Sequence, residues 1–415
     1  MNYLPRVADQ QLAARLGRSG AVLVEGAKWC GKTQTSLQSA ASVVHVDTDL
    51  EVDDLMEIDP TLVLEGPTPR LLDEWQWQPR LWDYVRHAVD NRNQAGQFIL
   101  TGSAMPVADL RRHSGAGRFS VLRMRPMSLW ESGQSNGQVS WSTIRNSEAV
   151  RAAASPWSLT GIAEAVVRGG WPATVGLATD AACEYVLDYL DLLADADLSR
   201  LSQSRHDPVR VRSLLASLGR NTATPASINT LVSDLGETGA SLGRDTASGY
   251  LAALEQLMIL ENQPAWSTAL RDSARLRRTP KRHLVCPSLA AAAIGATVKK
   301  LAREPKTLGV LFESMAVRDL RVYAAVERGQ VYHYRDSRGR EIDAIVQYPD
   351  GWVGVEVKLG LGAVEGAATN LLKVVKTIDT QTVGAPDALV VITGGGPAYR
   401  RPDGVVVAPL NQLKP

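Results

Sequence analysis

The stretch that most constrains this chain is a glycine-rich segment at residues 26–33. Its sequence, GAKWCGKT, fits the pattern G-x-x-x-x-G-K-T of a phosphate-binding P-loop. An apolar run at residues 21–25 precedes it, and residues 34–41 follow it without glycine or proline. We therefore predict a buried strand, a tight turn and a helix that begins at the turn. This arrangement directs backbone N–H groups and the positive end of a helix dipole at one place, where a triphosphate can bind.

Two side chains of the P-loop have a specific expected role. We expect Lys32 to contact the β- and γ-phosphates of ATP, and the Thr33 hydroxyl to bind Mg²⁺. The other positions are expected to contribute mainly backbone groups. The motif thus predicts ATP or ADP as a ligand and Mg²⁺ as a cofactor.

The composition narrows the class of protein. The chain has 415 residues, 45% of them hydrophobic and 21% charged, and a net charge of +1. This length and balance are typical of a soluble globular protein of about two to three domains, in which any nucleic-acid surface must be local. Three widely spaced cysteines, Cys30, Cys183 and Cys286, favour reduced thiols in a cytoplasmic protein. Residues 1–11 do not resemble a signal peptide, and no stretch approaches about 18 apolar residues, so no membrane contact is expected.

Two adjacent carboxylates form the second landmark. Asp73 and Glu74 directly follow the apolar pair Leu71-Leu72. In a P-loop ATPase, the first acid at such a strand end holds the Mg²⁺ shell, and the second positions or deprotonates the attacking water. We therefore predict both as catalytic residues and Asp73 as a metal ligand. Adjacent carboxylates are also common on protein surfaces, so this prediction depends on the P-loop before them.

A third apolar run, at residues 98–100, ends in small polar residues. Thr101 or Ser103 could lie between the acidic strand ends and sense the γ-phosphate, although a plain strand-end turn has the same composition. The predicted nucleotide-binding set comprises the P-loop, the residue after it and Ser103. These residues are Gly26, Ala27, Lys28, Trp29, Cys30, Gly31, Lys32, Thr33, Gln34 and Ser103.

Arginines are frequent after this third run. They are Arg111, Arg112, Arg118, Arg123 and Arg125. An arginine from a neighbouring subunit can stabilise a γ-phosphate; Arg118 is our candidate, and this role predicts a homo-oligomer. A solvated loop is the alternative for most of these residues.

The alternation of strands and helices predicts a doubly wound parallel α/β sheet, with its ligand at the carboxyl ends of the strands. Residues 131–147 are rich in Ser, Gly, Asn and Gln, and this composition predicts a flexible loop.

The middle of the chain predicts three helices and a short hairpin, the layout of a winged helix-turn-helix. In the candidate recognition helix, residues 244–257, the expected exposed positions are Arg244, Asp245, Thr246 and Ser248. Because few of these are basic, DNA contact, protein contact and a role as an ATPase lid all stay open. A denser basic cluster follows, which either neutralises phosphates or forms a solvated hairpin. It comprises Arg271, Arg275, Arg277, Arg278, Lys281 and Arg282.

The C-terminal third contains a set of residues with metal-dependent chemistry. The period of two in a strand places Glu356 and Lys358 on one face, Asp343 lies in the preceding hairpin strand, and Glu313 comes from a predicted helix. Such carboxylates can hold Mg²⁺, with Asp343 and Glu356 as the predicted ligands, while the lysine orients the hydrolytic water. Two alternatives are open: these four residues cleave DNA, or the domain is catalytically inert and only binds.

Several short motifs together resemble a large prokaryotic family of AAA-type ATPases. They are Pro5-Arg6, the P-loop, PRLLDEWQ at residues 69–76, FILTGSA at residues 98–104 and RGGWP at residues 168–172. The resemblance implies a P-loop ATPase core at residues 1–155, a helical and winged-helix region at 156–285 and a restriction-endonuclease-like α/β domain at 286–415. It also implies that Lys32 and Thr33 are the Walker A residues, Asp73 and Glu74 the Walker B pair, and Thr101 or Ser103 the sensor.

The function expected from this resemblance is a Mg²⁺-dependent ATPase that couples its nucleotide state to binding of DNA. The C-terminal domain would then either cleave DNA or be inactive. In the second case the protein is a nucleotide-switched regulator that hydrolyses ATP slowly and binds DNA or protein.

Overall fold

The structure is a computed structural model, and it describes residues 3–102, 115–198, 207–236, 242–267, 279–336 and 338–415. The chain divides into two compact units, Met1–Pro126 with Gln256–Met258, and Met127–Glu255 with Ile259–Pro415. Ser103 and four arginines of the basic cluster lie outside the described residues. Within those residues, no helix is both long and apolar enough to cross a membrane.

The first unit contains a five-stranded sheet in which every pairing is parallel. Its strands are β1 Ala21–Glu25, β2 Ser42–His45, β3 Arg70–Asp73, β4 Phe98–Gly102 and β5 Phe119–Arg123, in the order β2-β3-β4-β1-β5. Its helices are Val7–Leu16, Lys32–Leu37, Glu51–Ile58 and Leu81–Arg92, with short 3₁₀ helices at Pro60–Leu64 and Trp75–Trp77. The predicted α/β class with a parallel sheet is confirmed, and the carboxyl ends of β1, β3 and β4 meet at one edge.

Both faces of this sheet are buried. Leu23, Leu72 and Leu100 enter one apolar cluster, whereas Leu71 and Ile99 enter the other. Successive side chains of a strand point to opposite faces, so a strand covered on both faces is apolar throughout. The near-continuous apolar runs of the sequence have this origin.

The rest of the chain is mixed α/β. Its helices are Trp141–Arg145, Leu159–Arg168, Thr179–Leu192, Pro208–Arg220, Ile228–Gly236, Arg244–Gln256, Pro287–Ala293, Val298–Arg303, Pro305–Ala324, Val364–Val375 and Thr380–Val383. Its strands are β6 Val139–Ser140, β7 Arg151–Ser155, β8 Leu260–Gln263, β9 Lys281–Leu284, β10 Gln330–Arg335, β11 Glu341–Gln347, β12 Trp352–Lys358, β13 Ala388–Thr393, β14 Gly396–Arg400, β15 Val406–Pro409 and β16 Leu413–Lys414. Seven of these strands form one sheet in the order β10-β11-β12-β13-β15-β14-β7.

In the unit that holds the P-loop, the N-terminal segment ends at Pro126, whereas the predicted ATPase core extends to residue 155. Strand β7 pairs with β14, and β6 pairs with β16, so residues 139–155 belong to the second unit. The loop predicted for residues 131–147 also differs from the structure: Trp141 is buried in a short helix and donates to the Tyr348 hydroxyl at 2.6 Å. The polar composition correctly indicates turns here, but it does not show that an aromatic side chain anchors them.

The RGGWP motif lies where backbone segments of the second unit come very close together. A Cβ atom at Gly170 would lie 2.0 Å from the Met127 carbonyl oxygen, and one at Gly169 would lie 2.4 Å from Ser288 Oγ. Trp171 is fully buried and donates to the same Ser288 hydroxyl at 3.1 Å. The two glycines are therefore needed for close approach.

The helices Pro208–Arg220, Ile228–Gly236 and Arg244–Gln256 are followed by β8 and β9, which pair antiparallel. This is the predicted order of three helices and a hairpin, although a winged helix stays a prediction. The four positions expected to be exposed on the third helix, Arg244, Asp245, Thr246 and Ser248, are exposed. In the basic cluster, Lys281 and Arg282 are buried, so they are not free to contact phosphates.

Candidate functional site

The P-loop connects β1 to the helix Lys32–Leu37. Gly31 has a φ of 103°, a left-handed conformation that favours glycine, and a Cβ atom at Gly26 would lie 2.5 Å from the Met124 carbonyl oxygen. Lys32 is buried, and its Nζ donates to the carbonyl oxygens of Gly26 and Ala27, each at 3.1 Å. These acceptors are neutral, and an ammonium group binds an anionic oxygen more strongly, so a phosphate can replace them.

Residues before β1 hold the P-loop in place. Arg6 is buried, and its guanidinium donates to the carbonyl oxygens of Cys30 and Arg125, each at 2.8 Å. The Tyr3 hydroxyl lies 3.0 Å from Thr35 Oγ1. The sequence singled out Pro5-Arg6 through a resemblance but assigned it no role. In the structure, Arg6 ties the loop to the chain that follows β5.

Asp73 is the centre of the site. Thr33 Oγ1 donates to Asp73 Oδ1 at 2.9 Å, and Thr101 Oγ1 donates to the same oxygen. His45 Nδ1 lies 3.2 Å from the other carboxylate oxygen, Oδ2. The structure thus brings Thr33, Asp73 and Thr101 together, while Ser103 lies outside the described ranges.

His45 is not among the site residues that the sequence predicts. This residue ends β2, and the register of the sheet places it directly opposite Asp73. The sequence pattern at His45 is only weak evidence for a functional residue, because a polar residue after two valines is common at a strand end. Only the strand order, with β2 beside β3, shows that it reaches the acidic pair.

Glu74 begins the turn that follows β3. Its φ is 52°, in the left-handed region, and its N–H donates to Thr101 Oγ1 at 3.4 Å. Gln76 Nε2 donates to the Glu74 carboxylate. The Glu74 side chain is therefore held beside the carboxyl end of β4.

The donor set at Asp73 suits Mg²⁺. The Thr33 hydroxyl and the Asp73 carboxylate are hard oxygen ligands, and Mg²⁺ in nucleotide sites takes one or two carboxylates together with phosphate oxygens and waters. In the part of the chain that the structure describes, no group of three or more His, Cys, Asp or Glu side chains is arranged to hold a metal ion.

Arg118 lies away from the P-loop of its own chain. It directly precedes β5, and its carbonyl oxygen accepts from the N–H of Ala21, the first residue of β1. Both strands run parallel, so Arg118 lies at the amino edge of the sheet, opposite to the phosphate site. Its guanidinium forms an ion pair with Asp90 at 2.5 Å.

The C-terminal carboxylates form a second cluster, which contains two lysines. Lys281 Nζ lies 2.7 Å from Glu313 Oε1, 2.6 Å from Glu341 Oε1 and 3.8 Å from Asp343 Oδ1. The Lys281 side chain is only 2% exposed. The structure therefore brings Glu313 and Asp343 together, as a metal site would require, but the Lys281 ammonium group contacts both carboxylates.

The second lysine closes the other side of the cluster. Lys358 Nζ lies 2.6 Å from Glu356 Oε2 and 3.2 Å from Asp343 Oδ2. Asn370 Nδ2 donates to Glu356 Oε1 at 2.9 Å, and the Val357 N–H donates to Asp343 Oδ2 at 2.8 Å. We define the lysine–carboxylate cluster as Lys281, Glu313, Glu341, Asp343, Glu356 and Lys358.

Burial and charge pairing shift the pKa values in this cluster. Burial, with the negative charge of Asp343, raises the pKa of Glu313 to about 8 and that of Glu356 to about 7, against the opposing effect of the lysines. Burial also acts to raise the pKa of Asp343, but Lys281 and Lys358 outweigh it and lower that pKa. The pKa values of both lysines are raised, because carboxylates outweigh burial.

Sequence reasoning missed Lys281 and Glu341 as members of the cluster. Glu341 had a usable signal, because the period of two places it on the same face of β11 as Asp343. The sequence predicts Lys281 as part of a basic cluster, and its neighbours along the chain do not indicate that it points inward. Its position depends on the pairing of β8 with β9.

Comparisons with known proteins match three parts of the chain. Residues 18–132 match a family described as an AAA domain, residues 159–300 a domain of unknown function (DUF8612), and residues 308–413 another domain of unknown function (DUF4143). The AAA-domain match includes the P-loop, Asp73, Glu74 and Thr101, and it supports the predicted ATPase-like core. These descriptions name no winged helix and no nuclease.

Two curated mycobacterial proteins are also similar to the chain. Both are named uncharacterized proteins, one from Mycobacterium bovis and one from Mycobacterium tuberculosis, and each is 25% identical over 361 residues, which is 85% of this chain and 73% of the relative. Among solved structures, a Walker-type ATPase of Pyrococcus abyssi has a TM-score of 0.41 and 12% identity, over 70% of this chain and 96% of that chain. A Vibrio cholerae protein has a TM-score of 0.17 and 11% identity, over 94% of each chain.

Proposed function

We propose that the first unit binds ATP as its Mg²⁺ complex and hydrolyses it. The observation that carries this proposal is the grouping of Lys32, Thr33 and Asp73 at the carboxyl edge of a parallel sheet. The AAA-domain match over the same residues supports ATP as the nucleotide.

Each residue has a role in this mechanism. Lys32 exchanges the carbonyl oxygens of Gly26 and Ala27 for the β- and γ-phosphates, while Thr33 and Asp73 would hold the Mg²⁺ ion. When bound, this ion neutralises charge on the phosphates. Glu74 accepts a proton from water as the water oxygen bonds to the γ-phosphorus and the bridging oxygen leaves with ADP.

The test compares Mg·ATP affinity and hydrolysis in the wild type, Lys32→Ala and Arg18→Ala. Loss of the charge-assisted contacts of Lys32 should weaken Mg·ATP binding by about 10- to 100-fold. Arg18 is an exposed cation of the same unit and its variant should behave like the wild type. Retained affinity in Lys32→Ala would show that the phosphate site lies elsewhere.

We infer that Arg118 acts on the nucleotide of a neighbouring copy and that the protein is therefore a homo-oligomer. Its position at the edge opposite to the P-loop supports this, since it cannot serve its own site. In this proposal Arg118→Ala lowers turnover without changing ATP affinity, and the wild-type rate per chain rises with protein concentration. A rate per chain that stays constant over the range in which the protein dissociates to monomers contradicts it.

We further propose that the lysine–carboxylate cluster does not cleave DNA, which favours the nucleotide-switched regulator over the nuclease. The specific observation is the Lys281 ammonium group among Glu313, Glu341 and Asp343. A divalent ion placed among these carboxylates would be repelled by that fixed positive charge. Single- or double-stranded DNA incubated with Mg²⁺ or Mn²⁺, with and without ATP, should stay intact. Cleavage that Lys358→Ala abolishes would overturn this.

DNA remains our proposed partner of the regulator, with protein as the alternative. The candidate contacts are the exposed positive charge of Arg244 and the arginines at 271, 275, 277 and 278, which lie outside the described residues. Phosphate contacts release counterions, so DNA affinity should fall steeply with salt. An affinity that does not depend on salt argues against these contacts.

A further inference from the structure

A glutamine beside the proposed base makes contacts that the P-loop pattern does not explain. Gln76 lies in the 3₁₀ helix Trp75–Trp77, directly after the acidic pair. Its Nε2 donates to Glu74 Oε2, while its Oε1 is buried and, within the described structure, has no hydrogen-bond partner. The Nε2 group of this amide thus binds the proposed base, while its Oε1 atom is available to accept a hydrogen bond.

The amide lies at the same edge of the sheet as the P-loop. A Cβ atom at Gly102 would lie 2.6 Å from Gln76 Oε1, so the amide packs against the end of β4. The register places Gly102 opposite Glu25, the residue before the P-loop. Thr101, one residue earlier, contacts Asp73 and accepts from the Glu74 N–H. Gln76 therefore contacts Glu74 and lies at the end of β4, which pairs with the strand that leads into the phosphate loop.

The open acceptor is costly for stability. Almost all buried polar atoms in folded proteins have a partner, and a buried oxygen without a donor lowers stability relative to an apolar group of the same shape. Packing alone would favour methionine or leucine at this position. A free amide oxygen beside Glu74 could instead accept a hydrogen bond from the attacking water. The water has two hydrogens, and Glu74 takes only one of them.

We propose that Gln76 is a catalytic residue of the ATPase site: its Nε2 positions Glu74, and its Oε1 accepts a hydrogen bond from the attacking water. This inference rests on the proposed function. During hydrolysis the water oxygen bonds to the γ-phosphorus, the bond to the bridging oxygen of ADP breaks, and one proton passes to Glu74. The hydrogen held by Gln76 stays on the product phosphate, and the amide is unchanged.

The test is Gln76→Met, which keeps the length of the side chain and removes its polar atoms. The inference predicts that kcat for ATP falls by about 10-fold or more, while KM for ATP stays within about twofold. It also predicts a melting temperature at or above that of the wild type, because the unpaired buried oxygen is gone. A merely structural role would lower the melting temperature and leave kcat near the wild-type value.

Two further variants complete the experiment. Gln78→Met is the matched control, since Gln78 donates to Asp53 Oδ1 at 2.6 Å near the surface, and its kcat should not change. Gln76→Glu keeps the shape but loses the donor, and it should be as slow as Gln76→Met; this variant decides the matter if methionine destabilises the fold. Wild-type kcat in either Gln76 variant overturns the inference alone. A wild-type protein that binds Mg·ATP without hydrolysing it overturns the inference and the proposed ATPase function together.

Discussion

The P-loop site and the lysine–carboxylate cluster contain the same types of side chain in opposite states of charge pairing. At the P-loop, Lys32 donates to two neutral carbonyl oxygens at 3.1 Å, and Asp73 accepts from two hydroxyl groups. In the cluster, Lys281 and Lys358 make five contacts of 2.6–3.8 Å with four carboxylates. The contacts of Lys32 are with neutral groups that an anionic ligand can replace, whereas Lys281 and Lys358 are already paired with carboxylates.

This difference shows that catalytic residue types at a typical spacing in the sequence do not by themselves define a catalytic site. A carboxylate next to hydroxyl groups can exchange them for a metal ion and its waters at little cost. A buried carboxylate that is paired with an ammonium group must first lose that partner before it can bind a metal ion. The ammonium group is then a buried charge without a counter-charge, which costs free energy. We therefore propose that lysine and carboxylate side chains bind a ligand at the P-loop and stabilise the fold in the cluster.

The largest effect on turnover is expected at Glu74. Glu74→Gln removes the group that accepts the proton of the attacking water, and general-base catalysis contributes about 10²- to 10⁴-fold to a rate. We expect kcat to fall by that factor while Mg·ATP affinity stays near the wild-type value, because Lys32 and Thr33 still bind the phosphates. Steady-state hydrolysis and equilibrium binding measure the two quantities. Near-normal turnover would mean that another group is the base.

In the cluster, the corresponding change acts on stability rather than on turnover. Lys281→Met leaves Glu313, Glu341 and Asp343 facing one another without a counter-charge, and breaking such a buried pair costs about 3–5 kcal/mol. Denaturant unfolding of the full chain measures this loss, with ATP hydrolysis as a second readout. Lys306→Met, a change at an exposed lysine of the same unit, should unfold like the wild type. An unchanged stability in Lys281→Met would contradict the structural role.

The raised pKa values of two glutamates predict how stability depends on pH. Glu313 and Glu356 have pKa values of about 8 and about 7 in the folded chain, above those of exposed glutamates, so the folded state binds more protons than the unfolded state at neutral pH. Stability from these groups is present in full at low pH and is lost as pH rises through about 7 to 8. The free energy of unfolding should therefore fall between pH 5 and pH 8.5 by roughly 1–4 kcal/mol.

Glu313→Gln provides the control for this pH dependence. Glutamine cannot ionise, so the slope should become shallower over the same range. Denaturant titrations at several pH values compare the two proteins. A wild-type stability that rises between pH 6 and pH 8.5 would contradict the proposed ionisation of the cluster.

The smallest effect is expected at His45. His45→Asn weakens one hydrogen bond to Asp73, and a bond of this kind contributes about 0.5–1.5 kcal/mol, equivalent to roughly a 2- to 10-fold rise in the Mg²⁺ concentration for half-maximal hydrolysis. His87 is exposed on the helix Leu81–Arg92, and His87→Asn is the matched control. Equal Mg²⁺ dependence in both variants would show that His45 does not position Asp73.

The parts of the site that the sequence predicts are those whose residues are neighbours along the chain. Lys32 and Thr33 follow from a local pattern, and Asp73 follows from the end of an apolar strand. His45 and Gln76 do not, because their roles depend on the strand order and on the turn after β3. Parallel pairing brings distant strand ends together, and the sequence contains no local record of which strands become neighbours.

The second unit shows the same limit on a larger scale. Strand β7 is near the P-loop unit in sequence, yet it pairs with β14, more than two hundred residues further on. The helices and strands of the middle region follow from hydrophobic periodicity, since each is a local pattern. The inward position of Lys281 follows from pairing between β8 and β9, which are separated by residues that include the arginine-rich stretch.

We expect a divalent ion to bind with nucleotide at the P-loop and not to bind at the lysine–carboxylate cluster. Titration of the full chain with Mn²⁺, followed by electron paramagnetic resonance with and without ATP, tests it directly, and the Glu74→Gln background keeps the ATP intact. We predict one tightly bound Mn²⁺ per chain when ATP is present, lost in Asp73→Asn, and no tight binding without ATP. Tight Mn²⁺ binding without nucleotide that Asp343→Asn abolishes would instead place a metal site in the lysine–carboxylate cluster.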